Sequence, residues 1–567
     1  MNTNTRDIIL NHSSIMVYTL LRVFKLLVFS ILIGSIFFDT FKSLFNQLLG
    51  FLIWVFFTTS LVVFLFHKKK WIFAIFFLFE YIFITLYLLY YNYFSQYPTI
   101  SQIAHLGEGI KAIPTLKVVL NPFIFLVGLI DLPGILLILF DKKIPHQTSK
   151  NVLLLSLVFF LVLVILREIN FIRNKVSFYH FLTNQSLYEA RHLTGTIRKY
   201  GPFLTLFSTI YLAIEENKIV QLMDNGPEKH FVSKKSNPNI ILIQVESLDS
   251  TVLGVSFNGN YITPFLASLR YKSIFAPVVV SYHFAAGGTT DADFSILNSI
   301  QASPHTSLYN LKTYTFPQSL PRLLKKHGYR CVAFHNNDGF YFARREVLHR
   351  IGFDEFKDRI DMNLPHVWWG APDKEMFEFI KKIITNENQP FFYYIITMSS
   401  HGPFEHVSKH YKYTNSHFNR WYTDPIVKEY FNAISYVDSA LREFVEFVRN
   451  YLTNTTIIIV GDHSSMVKGK NYPGSTLNIE GNRLEIVPFF LIPPRETNIK
   501  SKTIPYALSL LDIVPTILDI AGIESSIKTY GDSIFSIKTH FIPFLGTKID
   551  RKELYTTFRV NILDKLQ

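Results

Sequence analysis

Cysteine is almost missing from this chain, with Cys331 alone among 567 residues. A single thiol excludes a disulfide framework and any cysteine-based zinc cluster. Charge is scarce too: 17% of residues are charged and 49% are apolar, with 54 Phe and 30 Tyr. That balance excludes a disordered chain and argues against a protein that meets only water. Internal repeats and low-complexity tracts are absent. No small-x-small site follows the first apolar run, so that run does not read as a cleaved signal peptide. Acidic residues are the poorer sign, 43 against 56 Lys and Arg, for a net charge of +13.

The location of that excess decides its meaning. Residues 1–175 hold 15 Lys and Arg against 7 Asp and Glu, so +8 of the net charge lies among the hydrophobic stretches. A basic nucleic-acid footprint would sit on a polar domain, so nucleic acid is not expected as a partner. Five stretches are apolar enough to cross a bilayer as helices, near 18–38, 47–66, 71–92, 118–140 and 151–167. Arg6, Arg22 and Lys25 cluster at the start of the first. Lys68, Lys69 and Lys70 lie between the second and third, and Lys142, Lys143 and Lys150 between the fourth and fifth. The opposite loops hold only Lys42, Lys111 and Lys117. The bias places the N-terminus in the cytoplasm and, after five crossings, everything beyond about residue 170 outside. Two acids fall within spans, Glu80 and Asp131 beside Pro133. Intramembrane carboxylates are costly, and these read as protonated or partnered helix-packing residues before functional ones.

The organisation expected is a transmembrane domain over 1–170, juxtamembrane linker helices over 171–235, a catalytic domain over 236–540 and a C-terminal tail over 541–567. Past the loop signal SKKSNPN (233–239), short apolar β-branched runs alternate with amphipathic helical segments. NIILIQV (239–245), YRCVAF (329–334), PFFYYIITM (390–398), TTIIIVG (455–461) and VPFFLIP (487–493) read as buried strands. Such alternation implies a largely parallel α/β sheet flanked by helices. In open sheets of this type the chemistry collects at the carboxyl ends of strands. Glu246 follows the first strand, His335 the second, His401 the third, and Asp462 with His463 the fourth. In AAGGTTDADF (285–294), Gly287 and Gly288 permit close backbone approach and Thr289 and Thr290 open a helix with Asp291 in its first turn. A hydroxyl at a helix N-terminus sits where backbone N–H groups favour phosphate, although an isolated Thr there is more often an ordinary cap.

Taken in order, ESL (246–248), GGTTDADF (287–294), FHNN (334–337), SSHGPF (399–404) and GDHS (461–464) resemble the lipoteichoic acid synthase-like phosphoglycerol transferases of the alkaline phosphatase and sulfatase superfamily. LLDIVPTILDIAGI (510–523) followed by YGDS is similar to the closing segment of sulfatase-type domains. The resemblance implies a five-helix transmembrane domain plus an extracytoplasmic α/β sulfatase-like domain, in a bacterial cell membrane. It implies that Glu246, Thr289, Asp462 and His463 bind one divalent metal ion, Mn2+ or Mg2+, a suitable ion for hard oxygen ligands with one imidazole. Thr289 would be the nucleophile, with Thr290 as the alternative. The donor would be an anionic phospholipid, phosphatidylglycerol, and the acceptor an envelope glycan or polymer. His335, Phe342, Arg344 and His401 would bind substrate. Two departures bear on the head group: the family's synthases carry Lys where Gly288 stands and Trp where Phe342 stands.

Three other readings are weighed on the same residues. Phosphoethanolamine transferases of this layout tend to carry several disulfides, which one cysteine cannot supply. A sulfatase needs Cys or Ser in a C/S-x-P-x-R motif, and Cys331 is followed by VAFH. A phosphodiesterase using water as acceptor stays open. A catalytically silent glycan-binding membrane protein has no need of Glu246, Thr289, Asp462 and His463 together.

Overall fold

The structure is a computed structural model. It describes residues 3–32, 71–94 and 122–140, single positions near 52–69 and 154–165, and 225–562 apart from short stretches that include 233–236, 284–288 and 416–423. The chain forms two compact units, Met1–Glu215 and Glu216–Gln567.

The N-terminal unit contains α1 (Thr3–Leu32), α2 (Trp71–Phe94), α3 (Pro122–Gly128) and α4 (Leu132–Phe140). Trp71–Leu89 and Phe123–Phe140 are long and apolar enough to cross a membrane. They coincide with the third and fourth expected spans. The fourth is broken: Leu129–Asp131 turn between α3 and α4, where Pro133 has no N–H to continue the ladder. The first expected stretch, near 18–38, falls in its described part within α1, which begins at Thr3. Most of the second and fifth spans, and the 171–224 part of the linker, lie outside the described residues. Gly134 lets α4 approach α1 closely, since a Cβ there would lie 2.6 Å from the Tyr18 Cα.

Four ionisable side chains meet inside this unit. Arg22 donates to both Glu80 oxygens, from Nε at 3.0 Å and NH2 at 2.5 Å. Lys25 Nζ bridges Glu80 Oε2 and Asp131 Oδ2, each at 2.7 Å. Thr58 and Thr59 take further guanidinium N–H groups. The partnered reading of Glu80 and Asp131 therefore holds. Arg22 and Lys25, however, are fully buried counter-ions. The sequence expectation that these two residues mark a membrane edge is therefore corrected.

The second unit is built on a ten-stranded sheet. Its strands are β1 (Asn239–Val245), β2 (Ile274–Ser281), β3 (Arg330–His335), β4 (Glu355–Lys357), β5 (Phe391–Ile396), β6 (Thr455–Gly461), β7 (Thr476–Ile479), β8 (Asn482–Ile492), β9 (Lys502–Thr503) and β10 (Leu508–Ser509). The order is β9-β2-β8-β6-β1-β5-β3-β4, with β7 on β8 and β10 on β2. From β6 to β4 every pairing is parallel. β8 runs antiparallel to both β6 and β2, so the 487–493 strand is the exception to the parallel expectation. The β2–β8 register shifts between Val487 and Phe489. Pro277 and Pro488 lie at that irregularity, where the ladder does not require their missing N–H groups.

Buried strands need cover on both faces. On one face lie α7 (Asp373–Ile384) and α8 (Pro425–Tyr451), whose Phe377 and Phe444 stack at 4.6 Å. Asp424 caps α8 by accepting from the Ile426 and Val427 amides, and Pro425 suits the first turn. The helices α5 (Thr289–Asn298), α6 (Arg344–Ile351) and α9 (Ile513–Ala521) complete the unit together with α10 (Arg551–Asn561). Two boundaries differ from expectation. Glu228–Phe231 pairs antiparallel with Ser525–Lys528, so the catalytic unit begins before residue 236. Residues 541–561 are no loose tail: a hairpin over 541–550 leads into α10, and Arg551 pairs with buried Asp512 at 2.7 Å.

Candidate active site

The register of β1 and β6 builds the centre. Val245 pairs with Gly461, so the next residues, Glu246 and Asp462–His463, emerge side by side at the carboxyl edge. Gly461 permits this closeness, since a Cβ there would lie 2.7 Å from the Leu248 carbonyl oxygen. Ser247 holds a left-handed backbone, φ 54°, unusual for a residue with a Cβ. Its amide donates to Asp462 Oδ1 at 2.8 Å and its hydroxyl to Glu246 Oε1 at 2.9 Å. Tyr430 from α8 pins the turn by donating to the Ser247 carbonyl at 3.0 Å.

His463 Nε2 lies 3.1 Å from Glu246 Oε1 and 3.6 Å from Asp462 Oδ2. Its Nδ1 faces the Ser464 carbonyl at 2.9 Å, which directs the other nitrogen at the carboxylates. Thr289 opens α5 and donates to Glu246 Oε2 at 3.3 Å. Thr290 is buried and bonds Ser307 at 3.0 Å. Gly287 and Gly288 lie outside the described residues. Burial alone would raise the Glu246 carboxyl, but His463 holds it well below the carboxylate range. Burial would likewise lower His463, yet Asp462 and Glu246 drive it well above an ordinary imidazole. Burial and the Glu246 charge together push Asp462 up.

These residues fit a metal ion. One ligand atom each from Glu246, Asp462 and His463 lies within 4.8 Å of the others. Asp462 Oδ2 is buried without a hydrogen-bond partner among the described residues, a cost that a cation would offset.

The substrate-side residues expected from sequence gather at the neighbouring strand ends. His335 closes β3, and its Nδ1 donates to the Ile396 carbonyl of β5 at 3.0 Å. Arg344, first residue of α6, donates from NH1 to His335 Nε2 at 2.8 Å. Burial and then the Arg344 charge depress His335 to about 3. His335 is therefore a neutral acceptor that orients Arg344. Phe342 lies with its ring 5.7 Å from the Arg344 guanidinium carbon, on a left-handed backbone shared with Ala343. His401 follows β5, with Nδ1 at 2.5 Å from the Gly402 carbonyl.

Three residues here were not anticipated. Trp368 stacks on His406 at 4.2 Å and lies 6.2 Å from the His401 ring. His283 follows β2 and stacks on His463 at 4.2 Å, while its Nδ1 faces Glu485 Oε1 at 3.2 Å. Glu485 Oε2 also accepts the Ser464 amide at 2.8 Å. His283, His463 and Glu485 bring ligand atoms together as a second group. With near-parallel rings, 20° apart, the two imidazoles do not converge on a common point, and the group fits better as a support for His463. Strand-end logic would have found His283 had β2 been recognised.

Comparisons with known proteins bear on the unit that carries this site. Residues 238–523 match the sulfatase family. The lipoteichoic acid synthase-like YvgJ of Bacillus subtilis is 28% identical over 303 residues, 51% of this chain and 48% of that protein. A lipoteichoic acid synthase of Staphylococcus aureus is 29% identical over 341 residues, 56% of this chain and 50% of its own. The chain thus spans about half the length of the curated relatives it matches. Among solved structures, the integral membrane lipooligosaccharide phosphoethanolamine transferase A of Neisseria meningitidis aligns with a TM-score of 0.53. It covers 92% of this chain and 96% of its own at 14% identity, a likeness of fold alone. With half its length matched, the chain belongs to the sulfatase family, and the curated relatives it is similar to are lipoteichoic acid synthases and a lipoteichoic acid synthase-like protein.

Proposed function

We propose that this protein is a membrane-bound transferase that moves phosphoglycerol from phosphatidylglycerol, through a phosphothreonine on Thr289, to an envelope glycan or polymer. The observation that carries the reading is the Thr289 hydroxyl at the head of α5, 3.3 Å from Glu246 and beside the Glu246–Asp462–His463 cluster. Glu246, Thr289, Asp462 and His463 would hold one Mn2+ or Mg2+ ion, which when bound supplies Lewis-acid charge to the phosphate and the Thr289 oxygen.

The chain's own residues account for the remaining chemistry. The Thr289 oxygen attacks phosphorus, its proton passing to solvent, and the bond from phosphorus to the diacylglycerol oxygen breaks. Arg344 holds phosphate oxygens with a planar fork. His335 keeps that fork oriented, which leaves His401 to donate the proton that the departing diacylglycerol oxygen needs. An acceptor hydroxyl then attacks the phosphothreonine, giving its proton to His401, while the bond from phosphorus to the Thr289 oxygen breaks and that oxygen takes a proton back from solvent. Phe342 offers Arg344 a ring face in place of an indole N–H, so the contact it makes to a head group is apolar. Five spans with the N-terminus in the cytoplasm would set this site on the outer face, where phosphatidylglycerol of the outer leaflet and the acceptor both lie.

The test is diacylglycerol release from labelled phosphatidylglycerol by the Mn2+-loaded protein in detergent, alongside Thr289→Ala. Release by the wild type and none by the variant is the expected result. No release by the wild type sinks the transferase reading, and equal release by both removes Thr289 as nucleophile.

A further inference from the structure

Asp293 lies one helical turn beyond Thr289 on α5, so the two share a face of one rigid element with Cβ atoms about 6 Å apart. The Asp293 carboxylate is completely buried, and both of its oxygens are engaged. Oδ2 accepts from Arg344 Nε at 3.2 Å and NH2 at 2.9 Å. Oδ1 accepts from Gln244 Nε2 at 2.6 Å and lies 3.5 Å from the Tyr394 hydroxyl. Tyr394 in turn donates to Gln244 Oε1 at 2.5 Å. Gln244 precedes Glu246 by two residues, on the same side of β1. The carboxylate therefore ties the nucleophile's helix to the strand that delivers Glu246 and to the guanidinium of α6.

The guanidinium has five N–H groups. Among the described residues three are taken, two by Asp293 and one by His335. Both partners lie on the protein side, so the fork is held in plane with two N–H groups left for a ligand. Without an anionic anchor a buried arginine would be free to turn toward Glu246 or Asp462, the two acids that the metal needs.

We infer that Asp293 is a positioning residue for phosphate: through one turn of α5 it sets the distance between the Thr289 oxygen and the Arg344 fork, and it keeps Arg344 off the metal ligands. The inference rests on Arg344 as the phosphate-binding arginine of the proposed transferase. It predicts that Asp293 acts on phosphate binding only through Arg344.

The experiment uses the full chain in detergent, with Mn2+ affinity read by electron paramagnetic resonance and affinity for inorganic phosphate read by calorimetry on the Mn2+-loaded protein. Asp293→Asn keeps the shape and removes the charge. It is expected to weaken phosphate about tenfold while Mn2+ affinity stays within about twofold. In an Arg344→Ala background the same change is expected to shift phosphate affinity less than about twofold, a non-additivity that a merely structural role would not produce. Equal losses in both backgrounds, or unaltered phosphate affinity in Asp293→Asn, overturn the inference. Should Asp293→Asn fail to fold, Gln244→Leu, which loosens the carboxylate from its far side, must weaken phosphate in the wild-type background and not in Arg344→Ala. Equal phosphate affinity in Gln244→Leu and the wild type then overturns it. Coupled phosphate binding without diacylglycerol release would support Asp293 and sink the transferase reading, so the two failures are distinct.

Discussion

Arg344 donates from NH1 to Nε2 of His335 at 2.8 Å, which requires that nitrogen to be unprotonated. His335 carries its proton on Nδ1, toward the Ile396 carbonyl, and titrates near 3. An imidazole lowered that far is neutral throughout the range in which the enzyme would work. His335→Gln is therefore expected to weaken substrate binding, seen as a KM increase of about tenfold, without moving either limb of the pH–rate profile, because His335 stays neutral well above its own pKa. A lost or displaced limb in that variant would show that His335 exchanges protons after all.

Metal and protons compete for His463. The metal-free imidazole faces Asp462 and Glu246, which against the effect of burial raise it well above its ordinary value and favour its protonated form. A metal ligand must be deprotonated, and binding displaces that proton. Apparent Mn2+ affinity should rise with pH, by up to about tenfold per unit while the solution stays below the His463 pKa. Titration calorimetry in buffers of different ionisation enthalpy would count the proton released; pH-independent affinity would contradict the arrangement.

Asp462 separates stability from function. Its carboxyl is raised by burial and by the Glu246 charge, so the unfolded chain, with the lower pKa, ionises first. Above the unfolded value, about pH 3.9, that difference destabilises the metal-free protein increasingly until the folded group also ionises. Asp462→Asn is expected to raise the melting temperature of metal-free protein by a few degrees while weakening Mn2+ about 100-fold. Differential scanning calorimetry with and without Mn2+ measures both.

Thr290 gives the control for the nucleophile. It is buried and bonds Ser307, whereas Thr289 bonds Glu246. Thr290→Ala should cost about 1 kcal/mol of stability from the lost hydrogen bond and keep diacylglycerol release within about threefold. Mass spectrometry of trapped intermediate should locate phosphoglycerol on Thr289 in that variant.

In the N-terminal unit, Lys25 joins two carboxylates from separate helical segments. Glu80→Gln leaves Arg22 without a carboxylate partner and Lys25 with Asp131 alone, and should cost about 3–5 kcal/mol. Thermal melting in detergent micelles, followed by circular dichroism, would show it, while a change of less than about 1 kcal/mol would mean that solvent reaches the cluster.

Much of the catalytic unit was legible in the sequence. NIILIQV and TTIIIVG are continuous β-branched runs, the mark of strands buried on both faces, and the polar residues directly after them became the centre. IFAPVVVS escaped because Pro277 interrupts it, and a proline inside a run argues against a central strand. Only the register shift opposite Pro488 makes that strand possible, and with it went His283 at its end. Residues 541–561 read as a tail because their hairpin and helix are stabilised by distant groups such as Asp512, not by local pattern.

Low charge, one cysteine and five apolar runs determined from sequence alone a membrane-associated chain with a disulfide-free α/β domain, because hydrophobic periodicity and composition are local properties. The order of the chemical motifs was equally plain. Partnership was not. That Arg22 and Lys25 neutralise Glu80 and Asp131 instead of marking a membrane face, and that His335 accepts a hydrogen bond from Arg344, was decided only in three dimensions. A side chain's charge and proton depend on which groups burial brings within about 4 Å of it, and sequence spacing does not carry that distance.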